Sequence, residues 1–121
     1  MVLIQNAGRS FSMVKLPPSL QWSPLFAFCS NDFNGDGKAD IISGGNFYGV
    51  SPFEGRYDAS YVDVLVSNKT NDVLQPLPAY QSGLWVKGEV RDIKVIKGKG
   101  SKRILAVAVN NNIIKFYSIN K

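Results

Sequence analysis

A chain of 121 residues with 45% apolar, 19% charged and 12% aromatic residues has the composition of a folded globular protein and the length of one domain or part of one. It contains no histidine and a single cysteine, Cys29, which excludes Ser-His-Asp and Cys-His nucleophile systems, histidine-ligated zinc or iron, intrachain disulfides and CxxC sites. The net charge of +5 is unevenly placed: residues 1–86 carry five Lys/Arg against seven Asp/Glu, and residues 87–121 carry nine against two, so local sites are expected and not a uniformly basic surface.

Helical periodicity is scarce. Short segments rich in Val, Ile, Phe and Tyr, bounded by Gly, Pro, Asn and Asp, predict an all-β chain. The start, Met1 to Asn6, lacks a charged region and a long apolar run, so it does not read as a secretory signal, and any export is expected to be directed by sequence outside this chain. No apolar run reaches the roughly 18–20 residues of a membrane-spanning helix. Strands are expected near 2–5, 10–15, 24–29, 40–43, 61–67, 90–96, 103–109 and 112–119.

In the third of these, Leu25-Phe26-Ala27-Phe28-Cys29 is apolar on both alternating faces, with Cys29 read as a small core hydrophobe. Residues 44–60, Gly-rich and aromatic, read as a packed loop, and Gln75 to Gly83, with two prolines, as the connector between two units. The last third reads as a meander with a Lys/Gly turn at 97–102 and an Asn110-Asn111-Asn112 turn before the final strand. There Ile104, Ala106 and Ala108 alternate with Leu105, Val107 and Val109, so these strands are expected to be covered on both sides by stacked sheets. The units starting at Leu25 and near residue 90 form an irregular internal repeat, dividing the chain into 1–86 and 87–121. Small antiparallel meanders repeated and stacked face to face are the building unit of a propeller, of which this chain would supply two or three blades.

One motif carries chemistry. Asp32-Phe33-Asn34-Gly35-Asp36-Gly37-Lys38-Ala39-Asp40 reads D-x-N-x-D-G-x-x-D, with side-chain oxygens at positions 1, 3, 5 and 9 and glycine at position 6 for a sharp turn. Calcium takes about 6–8 hard oxygen ligands, and Asp32, Asn34, Asp36, Asp40 and the Lys38 carbonyl fall where such a loop needs them. Position 12, Ser43, is not acidic and the flanks are strand-like, so the loop is not an EF-hand. The other reading is an Asx-rich turn without a metal. Against it, three aspartates within nine residues repel each other unless a cation compensates them.

The loop and its flanks, Phe28 to Ile42, resemble the FG-GAP and VCBS-type repeats of integrin α-subunit propellers and bacterial surface proteins, and residues 44–61 are similar to the stretch after the calcium loop in bacterial VCBS-type proteins. The resemblance implies four-stranded antiparallel blades, one calcium ion held by Asp32, Asn34, Asp36, the Lys38 carbonyl and Asp40, and a non-enzymatic binding or scaffold module, extracellular or at the cell surface, with a protein or glycan partner. It also implies a chain drawn from the end of a longer propeller, one that docks on further blades or on copies of itself. The second unit departs from the pattern, with Lys97-Gly98-Lys99-Gly100-Ser101-Lys102 where the loop belongs, so one metal per chain is expected.

Other clusters compete. Lys94, Lys97, Lys99, Lys102 and Arg103 could meet an anion, but residues 87–115 hold no aromatic to stack on bases, so nucleic acid is not expected. Trp22, Trp85, Tyr48, Phe53 and Tyr57 could stack on sugars, the feature that would favour a carbohydrate-binding or carbohydrate-active accessory domain; such aromatics are also ordinary core residues. Glu54, Asp58 and Asp63 could pair as glycosidase carboxylates only if the fold opposed them, and no catalytic residue is assigned.

Overall fold

The computed structural model describes residues 2–5, 8, 10–68 and 73–120. Strands β1 (Val2–Gln5) and β2 (Phe11–Val14) pair antiparallel in a two-stranded sheet. A single 3-10 turn, Pro18–Gln21, follows, with proline at its start, where a missing N–H costs nothing. Strands β3 (Leu25–Asn31), β4 (Asp40–Gly45), β5 (Asp63–Ser67) and β6 (Leu74–Leu77) form an antiparallel sheet in sequential order. After a one-turn helix α1 (Ala79–Ser82), β7 (Val90–Lys97), β8 (Arg103–Val109) and β9 (Lys115–Ile119) form a second meander. The protein is all-β and antiparallel, as its strand pattern predicts. No helix among the described residues is long and apolar enough to cross a membrane.

The core lies between the two larger sheets. Ala27, Ile42 and Val64 come from the first, Val90, Ile93, Leu105, Val107 and Val109 from the second, and Leu84 and Val86 from the segment joining them. Every second residue of β8 is buried, the period-two pattern of a strand with one face on a core. Cys29 packs against this cluster, and burial pushes its thiol above the ordinary value, in keeping with its reading as a small hydrophobe.

Two expectations need correction. Leu74–Leu77 is not connector but the fourth strand of the first sheet, and Ala79–Ser82 is helical. Pro76 is tolerated because β6 is an edge strand, where a missing ladder donor faces outward. The second correction concerns coverage. The inner faces are stacked, but the outer faces are only partly covered within the chain. Leu16 and Leu20 lie over Ile41 and Leu65 of the first sheet, yet Phe28 stays 59% exposed, and Phe116 is exposed on the second sheet.

The loop after β4 is packed at its base and open at its tip, residues 51–59 being exposed. Gly45 lies so close to Pro24 that a Cβ would overlap the Pro24 carbonyl oxygen. Asn46, in the left-handed region that asparagine tolerates (φ 78°), is 1% exposed with its amide fully used. Its Oδ1 accepts from Ser23 Oγ (2.8 Å) and Ser60 N (3.0 Å), and its Nδ2 donates to the carbonyls of Ser60 (2.6 Å) and Gly88 (3.0 Å). Glu89 extends the clamp, accepting from Asn110 Nδ2, Tyr48 N and Arg91, while Arg91 lies over the Phe26 ring at 4.4 Å. This network ties the loop to both sheets.

Candidate cation loop and aromatic groove

The acidic loop joins β3 to β4. Glycines at 35 and 37 adopt φ of 80° and 86°, the left-handed turns that fold so short a loop back on itself. Asp32 Oδ1 accepts from Gly35 N (2.6 Å) and Asp36 N (3.2 Å), and its Oδ2 from Gly37 N (3.1 Å). Asn34 Oδ1 accepts from Asp36 N (2.9 Å), and Asp36 Oδ1 from Lys38 N (2.9 Å). Asp40 is wholly buried; its Oδ2 accepts from Phe33 N (3.0 Å) and Asn34 N (3.3 Å), and its Oδ1 from Ser67 N (2.9 Å). Asp40 therefore holds the loop closed from inside and fastens it to β5. The Lys38 ammonium donates to the Asn68 carbonyl (3.2 Å).

The second sheet reaches this loop through one side chain. Arg103 Nη1 donates to Asn31 Oδ1 (3.0 Å) and to the Asp32 carbonyl (2.7 Å), while its Nη2 is buried without a partner among the described residues. Burial works against ionisation of Asp32, but the N–H groups of Gly37, Gly35 and Asp36, with Arg103 beside them, outweigh it and hold the carboxyl below its ordinary value. The arginine of the proposed basic cluster thus faces inward, and Lys94 pairs with Asp92 at 3.0 Å on the surface.

The loop brings Asp32, Asn34 and Asp36 together, with Asn34 Nδ2 3.3 Å from Asp36 Oδ2. Its oxygens are hard donors of the kind calcium takes, and the turn has the required glycines. As placed, the carboxylates face backbone N–H groups, and among the described residues no three acidic or thiol side chains converge on a single point. The donor set fits a divalent cation by its chemistry.

A second feature was only partly legible in the sequence. Trp22 and Trp85, both named as stacking candidates, border one groove of about 340 Å³ together with Tyr61 and Asp63. Tyr61 and Trp85 are stacked, with ring centroids 4.4 Å apart and planes 26° from parallel. Val86 N donates to the Tyr61 carbonyl (3.0 Å), which sets the two segments side by side. Between Tyr61 and Asp63, Val62 has φ 72°, a conformation that is a genuine outlier for a β-branched residue and costs about 1–3 kcal/mol. Asp63 accepts from Ser60 Oγ (3.2 Å), and burial pushes its carboxyl above the ordinary value despite that donor. Tyr48, Phe53 and Tyr57 lie elsewhere: the Arg56 guanidinium sits 5.0 Å over the Tyr48 ring, Phe53 is exposed at the loop tip, and Tyr57 bridges to Phe47. Glu54 and Asp58 are on that exposed tip, while Asp63 belongs to β5.

No family model, curated protein or solved structure matches the chain.

Proposed function

We propose that this chain is a calcium-braced, β-propeller-type binding or scaffold module of a secreted or cell-surface protein, of the FG-GAP or VCBS kind. The observation that carries the reading is the loop between β3 and β4, where Asp32, Asn34, Asp36 and Asp40 fall within nine residues on left-handed glycine turns. Asp32, Asn34, Asp36, Asp40 and the Lys38 carbonyl are the proposed ligands. The ion's role is structural: it neutralises the clustered carboxylates and turns binding energy into folding energy. Two successive meanders with a shared core support the blade reading. The exposed Phe28 and Phe116 support docking onto further blades or copies of the chain. The partner is a protein or glycan, not nucleic acid, and the module is not an enzyme.

The test is thermal unfolding with calcium and after chelation, for wild type and Asp36→Ala. A calcium-dependent rise in melting temperature that the substitution abolishes is expected. Identical melting with and without calcium reduces the segment to an Asx-rich turn. The alternative, a carbohydrate-binding or carbohydrate-active accessory domain, draws its support from the groove at Trp22 and Trp85.

A further inference from the structure

A tryptophan prefers to be largely buried, so two that stay open on one small domain call for a physical reason. Trp22 and Trp85 are 65% and 61% exposed and border the same groove. Trp85 has one ring face against Tyr61, and its high exposure leaves the other face open to solvent. A ring supported from behind in this way is a rigid platform and loses little conformational entropy when a flat ligand settles on it. The groove also has a polar side. Asp63, whose carboxylate accepts from Ser60 Oγ, borders it, and Ser19, whose hydroxyl is buried without a partner among the described residues, borders it as well.

The geometry points to a saccharide-binding site: a neutral pyranose stacks its C–H face on Trp85 or Trp22 while adjacent hydroxyls donate to Asp63. Each element matches that ligand class. Open aromatic faces meet the apolar face of a sugar ring, a carboxylate accepts from a pair of hydroxyls, and a groove of about 340 Å³ is in the range of small-ligand sites. A quaternary ammonium would need rings standing around it as walls, whereas Tyr61 and Trp85 face each other at 4.4 Å and leave no space between them. Two costs borne at this spot agree with a site kept for binding. Val62 holds a strained backbone between Tyr61 and Asp63, and burial pushes the Asp63 carboxyl above its ordinary value. The inference rests on the binding-module reading but not on occupancy of the acidic loop.

The experiment is a tryptophan-fluorescence titration of the folded chain with cellohexaose and with chitohexaose, each in calcium and after chelation. Saturable binding of at least one of them is expected, with affinity lowered about tenfold or more by Trp85→Ala and by Asp63→Asn. Both substitutions are compatible with folding: Trp85 is largely exposed and asparagine is nearly isosteric with aspartate. Absence of saturable binding by folded wild-type protein overturns the inference, as does binding that survives both substitutions. Saturable binding of choline or a proline-rich peptide, without either sugar, overturns it too. Sugar binding with calcium-independent melting leaves this site standing and removes only the cation reading, while a calcium-shifted melting temperature without sugar binding does the reverse.

Discussion

At the scale of single residues, the acidic loop is held by conformations that few side chains accept. Gly37 sits at φ 86° with open space where a Cβ would go, so Gly37→Ala adds backbone strain without a clash. Its expected cost is about 1–2 kcal/mol, read as a lower urea midpoint at unchanged slope. The carboxylates also fix the sign of the acid response. Asp32 and Glu89 have folded-state values below their ordinary ones, Glu89 because Asn110, Tyr48 and Arg91 donate to it against its burial. A depressed carboxylate contributes stability that is present above its unfolded value and lost as pH falls through the folded one. Asp63 works in the opposite sense, since its raised value makes its ionised form a cost that acidification removes. Urea midpoints are therefore expected to fall below the ordinary carboxylate range, with a shallower decline for Glu89→Gln and a steeper one for Asp63→Asn.

At the scale of elements, the two sheets differ in how much they depend on the N-terminal segment. Leu105 is buried in the core between the sheets, whereas Leu65, fully buried, faces outward toward Leu16 and Leu20. Leu65→Ala is expected to cost about 2–5 kcal/mol in chemical denaturation, as much as an inner-core truncation, if the Pro18–Gln21 turn is an integral part of the fold. A cost below about 0.5 kcal/mol would show that segment to be a loose cover. Most strands were legible because alternating Val, Ile and Leu bounded by Gly, Asn and Asp constrain a short segment strongly, as in β8. Strand β6 was not, because Leu-Gln-Pro-Leu shows too few alternations to register and its proline argues for a loop. The acidic loop was legible residue by residue, since local spacing is what makes it. The groove was not: Trp22, Tyr61, Asp63 and Trp85 come from three separate stretches, and only Trp22 and Trp85 were singled out together. The Asn46 clamp escaped notice for the same reason, as its partners at Ser23, Ser60 and Gly88 are far apart in sequence.

At the scale of the whole molecule, the open aromatic side chains on both outer faces predict association. Sedimentation is expected to show a concentration-dependent rise in mass that Phe28→Ser and Phe116→Ser reduce, with folding stability changed by no more than about 0.5 kcal/mol because both rings are exposed. A sharp monomer at high concentration would argue against docking through these faces. One contact described above also orders events in time. The β3 to β4 hairpin closes over an eight-residue turn, 32–39, and can form early from local chain alone. Arg103 meets Asn31 and the Asp32 carbonyl across 72 and 71 residues of sequence, so this clasp must wait until the last meander has docked. A loop built from local sequence thus owes part of its fixation to a strand more than seventy residues away, and its settled shape depends on the second sheet being in place.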